Sequence, residues 1–529
     1  MKQTMINAIE RLHDGDATYL RHVSRCLSLV VIMLSGMLSL KAQNTLSIDQ
    51  RWIEVGKLST RFSLESVDNL AAAMFRQDYS LTTLAFDGFY NKESSPVLLQ
   101  QGDGRYGGAF HAESYQHLKK KVRLWGEAIY DNVLKKNIRW NETSDYDLLY
   151  PYFSADTIGG DLRSETYYFK GGYAQEWKEL VWGAEAEYRA LLEYRNIDPR
   201  PRNTAADLKL KMGIGWNFHR NYYGVLSLAA RRYKQTGSIA YYNESGNCIT
   251  YHLTGLGMVY ARFSGTNTSV AYQGTSGGVS LNILPENRKG YTFLADYNYL
   301  SYSKMLSDLN NIPLVEMGIH QVDLSLAWQD GEANSNWGMK LVGGITIKNG
   351  TENLFGDPAG NIYSEIASAD MYDQLISRLG LQGFYEWQGR AEDIWHLQPR
   401  LSFATNSEKY LQPARGLSAR HLIPAVEFGW SKSLVKTSFG LRASAEYGLC
   451  LQSRSSLADC TPQDSQYSLI MNVMEAMQAD RLTTNLDFRI NFPVKSKVTI
   501  FVQGAWQYYY YNMLDINASA VKFTVGVGI

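Results

Sequence analysis

Long stretches of this chain alternate strictly between apolar and polar side chains. Between positions 207 and 218, every second residue from Leu208 to Phe218 is apolar, and the residues between them are charged, amide or glycine. A β-strand places successive side chains on opposite faces, so one face here suits hydrocarbon and the other suits water. The same pattern recurs at 435–449, 481–492 and 521–529. It predicts an all-β chain in which one face of each strand lies in an apolar environment and the other face lies in a polar one.

The length of these segments favours a membrane-spanning barrel over a soluble sheet. They run for about 11 to 14 residues, whereas soluble strands average roughly 5–6 and a tilted membrane strand needs roughly 9–11. Aromatic pairs such as Trp216 with Phe218 and Trp506 with Tyr508 stand near strand ends, where a barrel carries its interfacial girdle. The 36 Tyr and 12 Trp of the chain supply many such residues. We therefore predict a transmembrane antiparallel up-and-down β-barrel.

The strand number follows from the connections, which tend to alternate between short and long. Barrels of this class have short periplasmic turns and long external loops, and we expect the long loops at 132–165, 348–372 and 450–480. Strands placed from the front end with one at 250–263, and those placed from the rear begin at 290–303. Both series place this point of the chain on the periplasmic side. The region 264–289 must therefore contribute either no spanning strand or two, although 268–282 resembles a single strand. We expect about 18 strands, with 16 or 20 as alternatives.

The N-terminus carries an export signal. Arg21 and Arg25 precede an apolar run at 27–40, which is shorter than the roughly 20 residues of a membrane helix. We predict a signal peptide at 1–42, cleaved near Ala42, with an N-terminal anchor helix as the alternative. The segment 43–78 alternates poorly and is expected to be a periplasmic extension or a small plug, with a helical turn or two at 67–75. The barrel is expected at 79–529, in the outer membrane of a Gram-negative cell.

Charged residues of both signs lie on the predicted polar faces, and two interpretations of them are open. They could line a pathway for small polar solutes, or they could pair into a ladder that stiffens the wall. The lumen-facing candidates are Arg123, Glu127, Glu185, Glu187, Arg189, Lys209, Lys211, Arg378, Arg400, Arg442, Glu446, Asp487 and Arg489, with Asp131 and Glu386 on the same faces.

Two further features lie in the expected external loops. The 132–165 stretch holds Asp145, Asp147, Asp156 and Asp161, which could bind calcium but are better interpreted as a solvated acidic loop. Cys450 and Cys460 flank the start of another loop, and export would expose them to oxidation. A disulfide between them is possible and would leave the third mature cysteine single.

The sequence gives little support for catalysis. His111 and Ser114 lie three positions apart, so a strand would point them to opposite faces. The spacings contain no metal-ligand motif such as Cys-x-x-Cys, and we expect no cofactor and no enzyme activity, with an outer-membrane hydrolase as a distant alternative. Lys+Arg and Asp+Glu both number 52, so no global charge favours nucleic acid.

The terminal segment 522–529, the leader ending near Ala42 and the Tyr- and Gly-rich strands together resemble exported outer-membrane barrels. The segment 140–156 resembles uncharacterised barrel families known only as domains of unknown function. This resemblance implies contact with outer-membrane lipid and lipopolysaccharide, and insertion by the barrel-assembly machinery. For function we expect a channel or uptake pore for small polar solutes. The alternative is a plugged barrel whose loops bind a surface partner.

Overall fold

The structure is a computed structural model that describes residues 48–529 apart from 66–73, 75–76, 78, 120, 220, 244–247, 266–268, 333, 361, 390–392, 435 and 496–497. The predicted signal peptide at 1–42 and the helical turn expected at 67–75 fall outside, or almost wholly outside, the described residues. Four α-helices are described, Ile48–Gly56, Leu58–Glu65, Tyr146–Leu149 and Tyr467–Gln478. None of the helices in this described part is long and apolar enough to cross a membrane.

Strands account for most of the described chain. In chain order they are β1 (Leu81–Glu93), β2 (Gly104–Lys119), β3 (Val122–Ile138), β4 (Ser154–Ala155), β5 (Gly160–Trp177), β6 (Leu180–Tyr194), β7 (Arg200–His219), β8 (Tyr222–Ala240), β9 (Tyr251–Gly255), β10 (Met258–Val259), β11 (Ser269–Pro285), β12 (Gly290–Leu306), β13 (Ile312–Glu332), β14 (Ser335–Phe355), β15 (Glu365–Gln388), β16 (Ile394–Tyr410), β17 (Arg415–Ser433), β18 (Ser438–Leu457), β19 (Arg481–Lys495), β20 (Val498–Tyr511) and β21 (Ile516–Gly528).

Eighteen of these strands form one closed antiparallel barrel. Each barrel strand pairs with the next along the chain, and β21 pairs with β1, for example Val525 with Phe86. Closure leaves the sheet without an edge, so the ladder hydrogen bonds are satisfied around the wall. The strand number of 18 predicted from the sequence is confirmed.

The outer face of the wall is apolar, as the alternation predicts. Leu208, Leu210, Met212, Ile214 and Trp216 on β7 are all exposed, with Met212 at 69%. The neighbouring strands carry a matching row of exposed Leu, Ile, Phe and Trp side chains. A belt of this size would be unfavourable in water and is stabilised by lipid. The chain is a transmembrane β-barrel.

Two strand assignments made from the sequence are wrong, and their errors cancel. The segment predicted as a spanning strand at 250–263 instead holds the short strands β9 and β10, which pair with β4 in a small inner sheet. The Gly-rich segment β11 is a full barrel strand that pairs with β8 and β12. Leu253 of β9 is only 3% exposed and packs in a buried cluster inside the barrel. Its apolar side chain therefore gave the segment a sequence pattern like that of a wall strand.

The long connections gather at one end of the barrel and the short turns at the other. The stretches 139–159, 241–268 and 458–480 connect strands at the first end, which is the external one by the usual pattern. The loops expected at 132–165, 348–372 and 450–480 are shorter than predicted, because β3, β14, β15 and β18 continue well into those ranges. The wall therefore extends beyond the apolar belt.

A hydrophobic core fills one side of the external half of the lumen. Leu149 and Tyr152 of the 139–159 loop are fully buried against wall residues such as Tyr302, Met317 and Tyr372. The helix Tyr467–Gln478 covers this core with Ile470. We call the 139–159 segment, together with β9 and β10, the inner insert.

At the short-turn end the N-terminal helices contact the inner wall. Trp52 packs on Phe501 with ring centroids 5.4 Å apart, and Phe62 packs on Phe384 at 4.6 Å. Further along the chain, Met74 packs in a buried cluster with Tyr115 and other inner-wall residues. The N-terminal helices and Met74 thus lie on the inside of this end of the barrel.

Candidate functional site

The candidate site is a series of adjoining cavities inside the barrel, each lined by several charged residues. A central cavity of about 840 Å³ is lined by residues of β1–β3, β5, β6 and β16–β21, several of them charged. An external vestibule of about 640 Å³ shares Arg105, Lys135, Asp145 and Arg189 with it. A smaller cavity of about 230 Å³ beside the N-terminal helices shares Arg442 and Asp487 with the central one. The three spaces therefore adjoin, from the external loops to the N-terminal helices.

A fourth space lies on the other side of the lumen. This lateral cavity of about 520 Å³ is lined by β5–β8 and β11–β13. It shares Arg189 with the central cavity and Asp207 and Arg231 with the vestibule. Arg189 thus borders three of the four spaces.

The sequence-predicted candidates lie on the inner face of the wall, opposite the exposed apolar side chains of the same strands. Arg189, Arg400, Arg442 and Asp487 line the central cavity. Glu187, Lys209 and Lys211 line the lateral cavity, and Arg489 lines the small cavity. The others lie elsewhere on the inner face: Arg123, Glu127, Glu185, Arg378 and Glu446.

Many of these charges are paired between neighbouring strands. Glu127 binds Lys170 at 2.6 Å and lies 3.2 Å from His111. Arg442 binds Asp487 at 3.0 Å. Two longer or more exposed pairs join Lys211 to Glu187 at 3.9 Å and Arg481 to Glu446 at 3.1 Å. These pairs have the form of a ladder along the wall, one of the two structures expected from the sequence.

The remaining candidates have varied surroundings. Glu185 accepts a hydrogen bond from the Trp125 indole at 2.5 Å. The Arg123 guanidinium is buried and donates to a backbone carbonyl. Arg400 borders the central cavity, and its Nε is buried with no hydrogen-bond partner among the described atoms.

Arg189 anchors the inner insert to the wall. Its two terminal nitrogens donate to the carboxylate of Asp145 at 2.8 and 2.6 Å, and Tyr233 also donates to Asp145 at 2.8 Å. Asp145 has a left-handed backbone with φ of 54°, an uncommon conformation for a residue other than glycine. Burial raises the pKa of Asp145, but the Arg189 hydrogen bonds and charge outweigh it and the net shift is downward.

Three of the four acidic residues expected in a solvated loop are instead paired with cations, while Asp147 is exposed. Asp156 forms an ion pair with Arg195 at 2.5 Å, and both side chains are almost completely buried. Asp161 pairs with Lys136 of the wall. The sequence could not reveal these pairs, because only the folded barrel brings the partners together.

Burial disfavours the charged form of two titratable groups of the inner insert. Burial raises the pKa of Glu142 well above its usual value, and the charge of Asp156 raises it further. Burial lowers the pKa of His252 well below 6.5, and the charge of Lys304 lowers it further. The Nδ1 of His252 lies 3.3 Å from the hydroxyl of Ser154. The insert therefore has a polar interior that contains neutral as well as paired charged groups.

The N-terminal helices are held by wall charges. Glu386 accepts from the backbone N–H of Leu58 at 2.6 Å and from the Ser59 hydroxyl at 2.7 Å. Arg61 binds Glu427 at 2.6 Å. The Arg489 guanidinium lies over the Trp52 ring at 3.9 Å, a cation–π contact. Sequence reasoning placed Glu386 and Arg489 on the inner face but had no signal for the helices that bind them.

The sequence leaves a disulfide between Cys450 and Cys460 open, and the structure describes both residues as unpaired. Cys450 and Cys460 are both free thiols, as is Cys248. Cys450 lies within β18 opposite His421, while Cys460 lies beyond the strand and packs on the inner hydrophobic core. The continuation of β18 to Leu457 therefore separates the two residues.

Comparisons with known proteins give one matching family and several similar solved structures. A family model described as "Family of unknown function (DUF6850)" matches residues 70–529. The comparison with curated proteins finds no match. Solved structures that are similar include BauA, the ferric preacinetobactin receptor of Acinetobacter baumannii, at 7% identity over 86% of this chain and 80% of that chain, with a TM-score of 0.40.

Two solved channels give similar results. OccK1 (OpdK) of Pseudomonas aeruginosa has 9% identity over 85% of this chain and 98% of that chain, with a TM-score of 0.31. A TodX variant, a monoaromatic hydrocarbon channel, has 12% identity over 88% of this chain and 93% of that chain, with a TM-score of 0.33. At these scores the similarity assigns no activity to the chain.

Proposed function

Since the chain belongs to the family of unknown function DUF6850, whose description supplies no activity, we propose from the geometry that it is a gated outer-membrane pore for the uptake of small polar solutes. The observation that carries this proposal is the series of adjoining polar cavities from the external vestibule to the N-terminal helices. A barrel with a purely structural role would have no need of a polar lumen this large.

The chemistry of the lining favours solutes that carry hydrogen-bonding groups. Arg189 and Arg442 face the central cavity together with Asp131 and Asp487. Charges of both signs leave little net field, so strong selection for one ion sign is not expected. The amides of Asn485 and Gln507, which line the cavity, offer partners to hydroxyl or carboxylate groups.

The N-terminal helices are proposed as the gate. They adjoin the innermost cavity, and their polar contacts with the wall include Glu386 with Ser59 and Arg61 with Glu427. Their apolar anchors, Trp52 and Phe62, are nevertheless almost fully buried. We therefore expect the closed state to dominate and openings to be rare.

Planar-bilayer recording of the mature chain tests this proposal. We expect brief openings for the wild type and far more frequent openings for the double variant Arg61→Ala/Phe62→Ala, which removes one ion pair and one buried anchor. Lys57→Ala is the matched control, because its ion pair with Glu54 stays within the helical segment. A double variant that is folded yet never conducts would refute the pore.

Surface binding by external loops has weaker support. The 139–159 loop turns inward, and Leu149, Tyr152 and Asp156 are fully buried. Less of the loop is therefore left to present to a partner than the sequence suggested.

A further inference from the structure

The outer wall near the external end carries a groove that faces lipid and is independent of the pore. It has a volume of about 470 Å³ and is lined by β5–β8. One rung of the sheet explains its shape: Tyr167 pairs with Ala190, Ala190 with Ala206, and Ala206 with Lys234. Two small residues thus lie between two long ones, which leaves a depression between them.

The groove lies at the boundary of the apolar belt. On β7 the outward residues from Leu208 towards the short-turn end are apolar and exposed, whereas Thr204 and Arg202, towards the long loops, are polar and exposed. Tyr188, at 44% exposure, stands beside the groove, and tyrosine favours the membrane–water interface. The groove therefore spans the level at which lipid headgroups meet their acyl chains.

Cations surround this groove. Arg163 and Arg202 flank Tyr194 on one rung, and Arg232 and Lys234 follow each other on the outer face of β8. All four are exposed. Arg232 donates to Gln273 of the next strand at 3.3 Å, which fixes its position on the wall. Glu165 is the acidic residue that also lines the groove, so the local charge is clearly positive.

Exposed acidic residues occur elsewhere on the outer wall. Glu316, Asp370 and Asp373 are exposed on β13 and β15 towards the long-loop end, and Lys409 lies opposite Asp373 in the ladder. The cations of β5–β8 are thus not part of a uniform basic ring around the barrel. A local cluster beside a groove is what a single bound anion requires.

We propose that this groove binds one molecule of lipopolysaccharide through the phosphate groups of its lipid A part. Arg232 and Lys234 would contact phosphate, with Arg163 and Arg202 nearby. Ala190 and Ala206 would accommodate the start of an acyl chain. Phosphate binds arginine by paired charge-assisted hydrogen bonds, and the surrounding hydrocarbon favours the acyl chain.

Native mass spectrometry of the full mature chain, incubated with purified lipid A in detergent, tests the proposal. We expect the wild type to retain one lipid A and to retain chemically dephosphorylated lipid A much less. Arg232→Ser/Lys234→Ser should weaken binding roughly tenfold or more, since each cation near an anionic membrane surface contributes measurably. The matched control Lys409→Ser/Arg420→Ser removes two exposed cations of β16 and β17 and should bind as the wild type does.

A second variant tests the groove itself. Ala190→Leu/Ala206→Leu fills the floor and keeps every cation, and it should also weaken retention of lipid A. Heat-modifiable gel mobility confirms that each variant is folded. Equal retention of lipid A by the wild type and both groove variants would overturn the proposal. Equal retention of phosphatidylglycerol and lipid A by the wild type would overturn the assignment to lipopolysaccharide.

Discussion

Asp145 combines an unusual backbone conformation with side-chain hydrogen bonds to the wall. It has a left-handed backbone, it lies in an external loop, and its carboxylate receives hydrogen bonds from Arg189 and Tyr233 of the wall. Asparagine tolerates the same backbone conformation, so Asp145→Asn removes the charge and little else. This residue therefore reports how strongly the inner insert is docked.

We predict that Asp145→Asn loosens the inner insert. The loss of a charge-assisted hydrogen-bond pair should lower the free energy of local opening by about 2 kcal/mol. Hydrogen exchange of the peptides from 139–159 measures this change. Asp147→Asn is the control on the same loop, because Asp147 is exposed and contacts only Gln101 among the bonds described for it. Equal exchange in the two variants would contradict the docking role of Asp145.

His252 should make the inner insert sensitive to pH. Its pKa in the folded insert is below 6.5, because burial disfavours the charged form. The opened segment then binds the proton more tightly, so the stabilisation is fully present above about pH 6.5 and is lost as the pH falls below it. The loss should approach about 1.4 kcal/mol for each pH unit.

The measurement is hydrogen exchange of 251–259 between pH 8 and pH 5, corrected for the intrinsic rate. His252→Gln should flatten the profile, and the difference between the two proteins cancels the contribution of Glu142, which titrates in the opposite sense. Identical profiles for wild type and variant would show that His252 is not the sensor.

At the scale of the strand, adjacent glycines of β5 have different roles. A Cβ at Gly172 would meet the Trp125 ring at 2.2 Å, whereas a Cβ at Gly171 would meet no atom within 4 Å. Gly172 faces the lumen, where Trp125 lies over it and donates to Glu185. Close approach of an aromatic ring is therefore the reason for glycine at this position.

We predict that Gly172→Ala destabilises the barrel by about 1–3 kcal/mol, because the tryptophan must leave its position. Gly171→Ala should be close to neutral. The temperature at which each barrel loses its compact gel mobility measures the difference. A Gly172→Ala barrel as stable as the Gly171→Ala barrel would mean that Trp125 relocates without cost.

Strands were predictable where one face of the wall contacts lipid and the other faces the lumen. They were not predictable where apolar side chains are buried inside the barrel. The outward face of β7 followed directly from Leu208, Leu210 and Met212. The segment 250–263 was wrongly predicted as a spanning strand because Leu253 is buried inside the inner insert and does not face lipid. The ion-pair partners of the inner charges could not be predicted either, because Arg61 and Glu427 come together only when the N-terminal helices lie inside the barrel.

At the scale of the whole molecule, the barrel is a wall around two inner bodies. The inner insert fills one side of the external half, and the N-terminal helices cross the short-turn end. Between them lies the central cavity of about 840 Å³. In a pore gated by the helices, this cavity becomes continuous with both aqueous phases whenever the helices move.

Cysteine accessibility during conductance recording tests that requirement most directly. In a background with Cys248, Cys450 and Cys460 replaced by serine, Asn485→Cys places a thiol in the central cavity, and Phe488→Cys places one on the outer face of the same strand. A charged, membrane-impermeant thiol reagent should reduce the conductance of the Asn485→Cys barrel and leave that of the Phe488→Cys barrel unchanged. Conductance that is unaffected in the Asn485→Cys barrel, although its thiol is labelled, would contradict a solute path through the cavity.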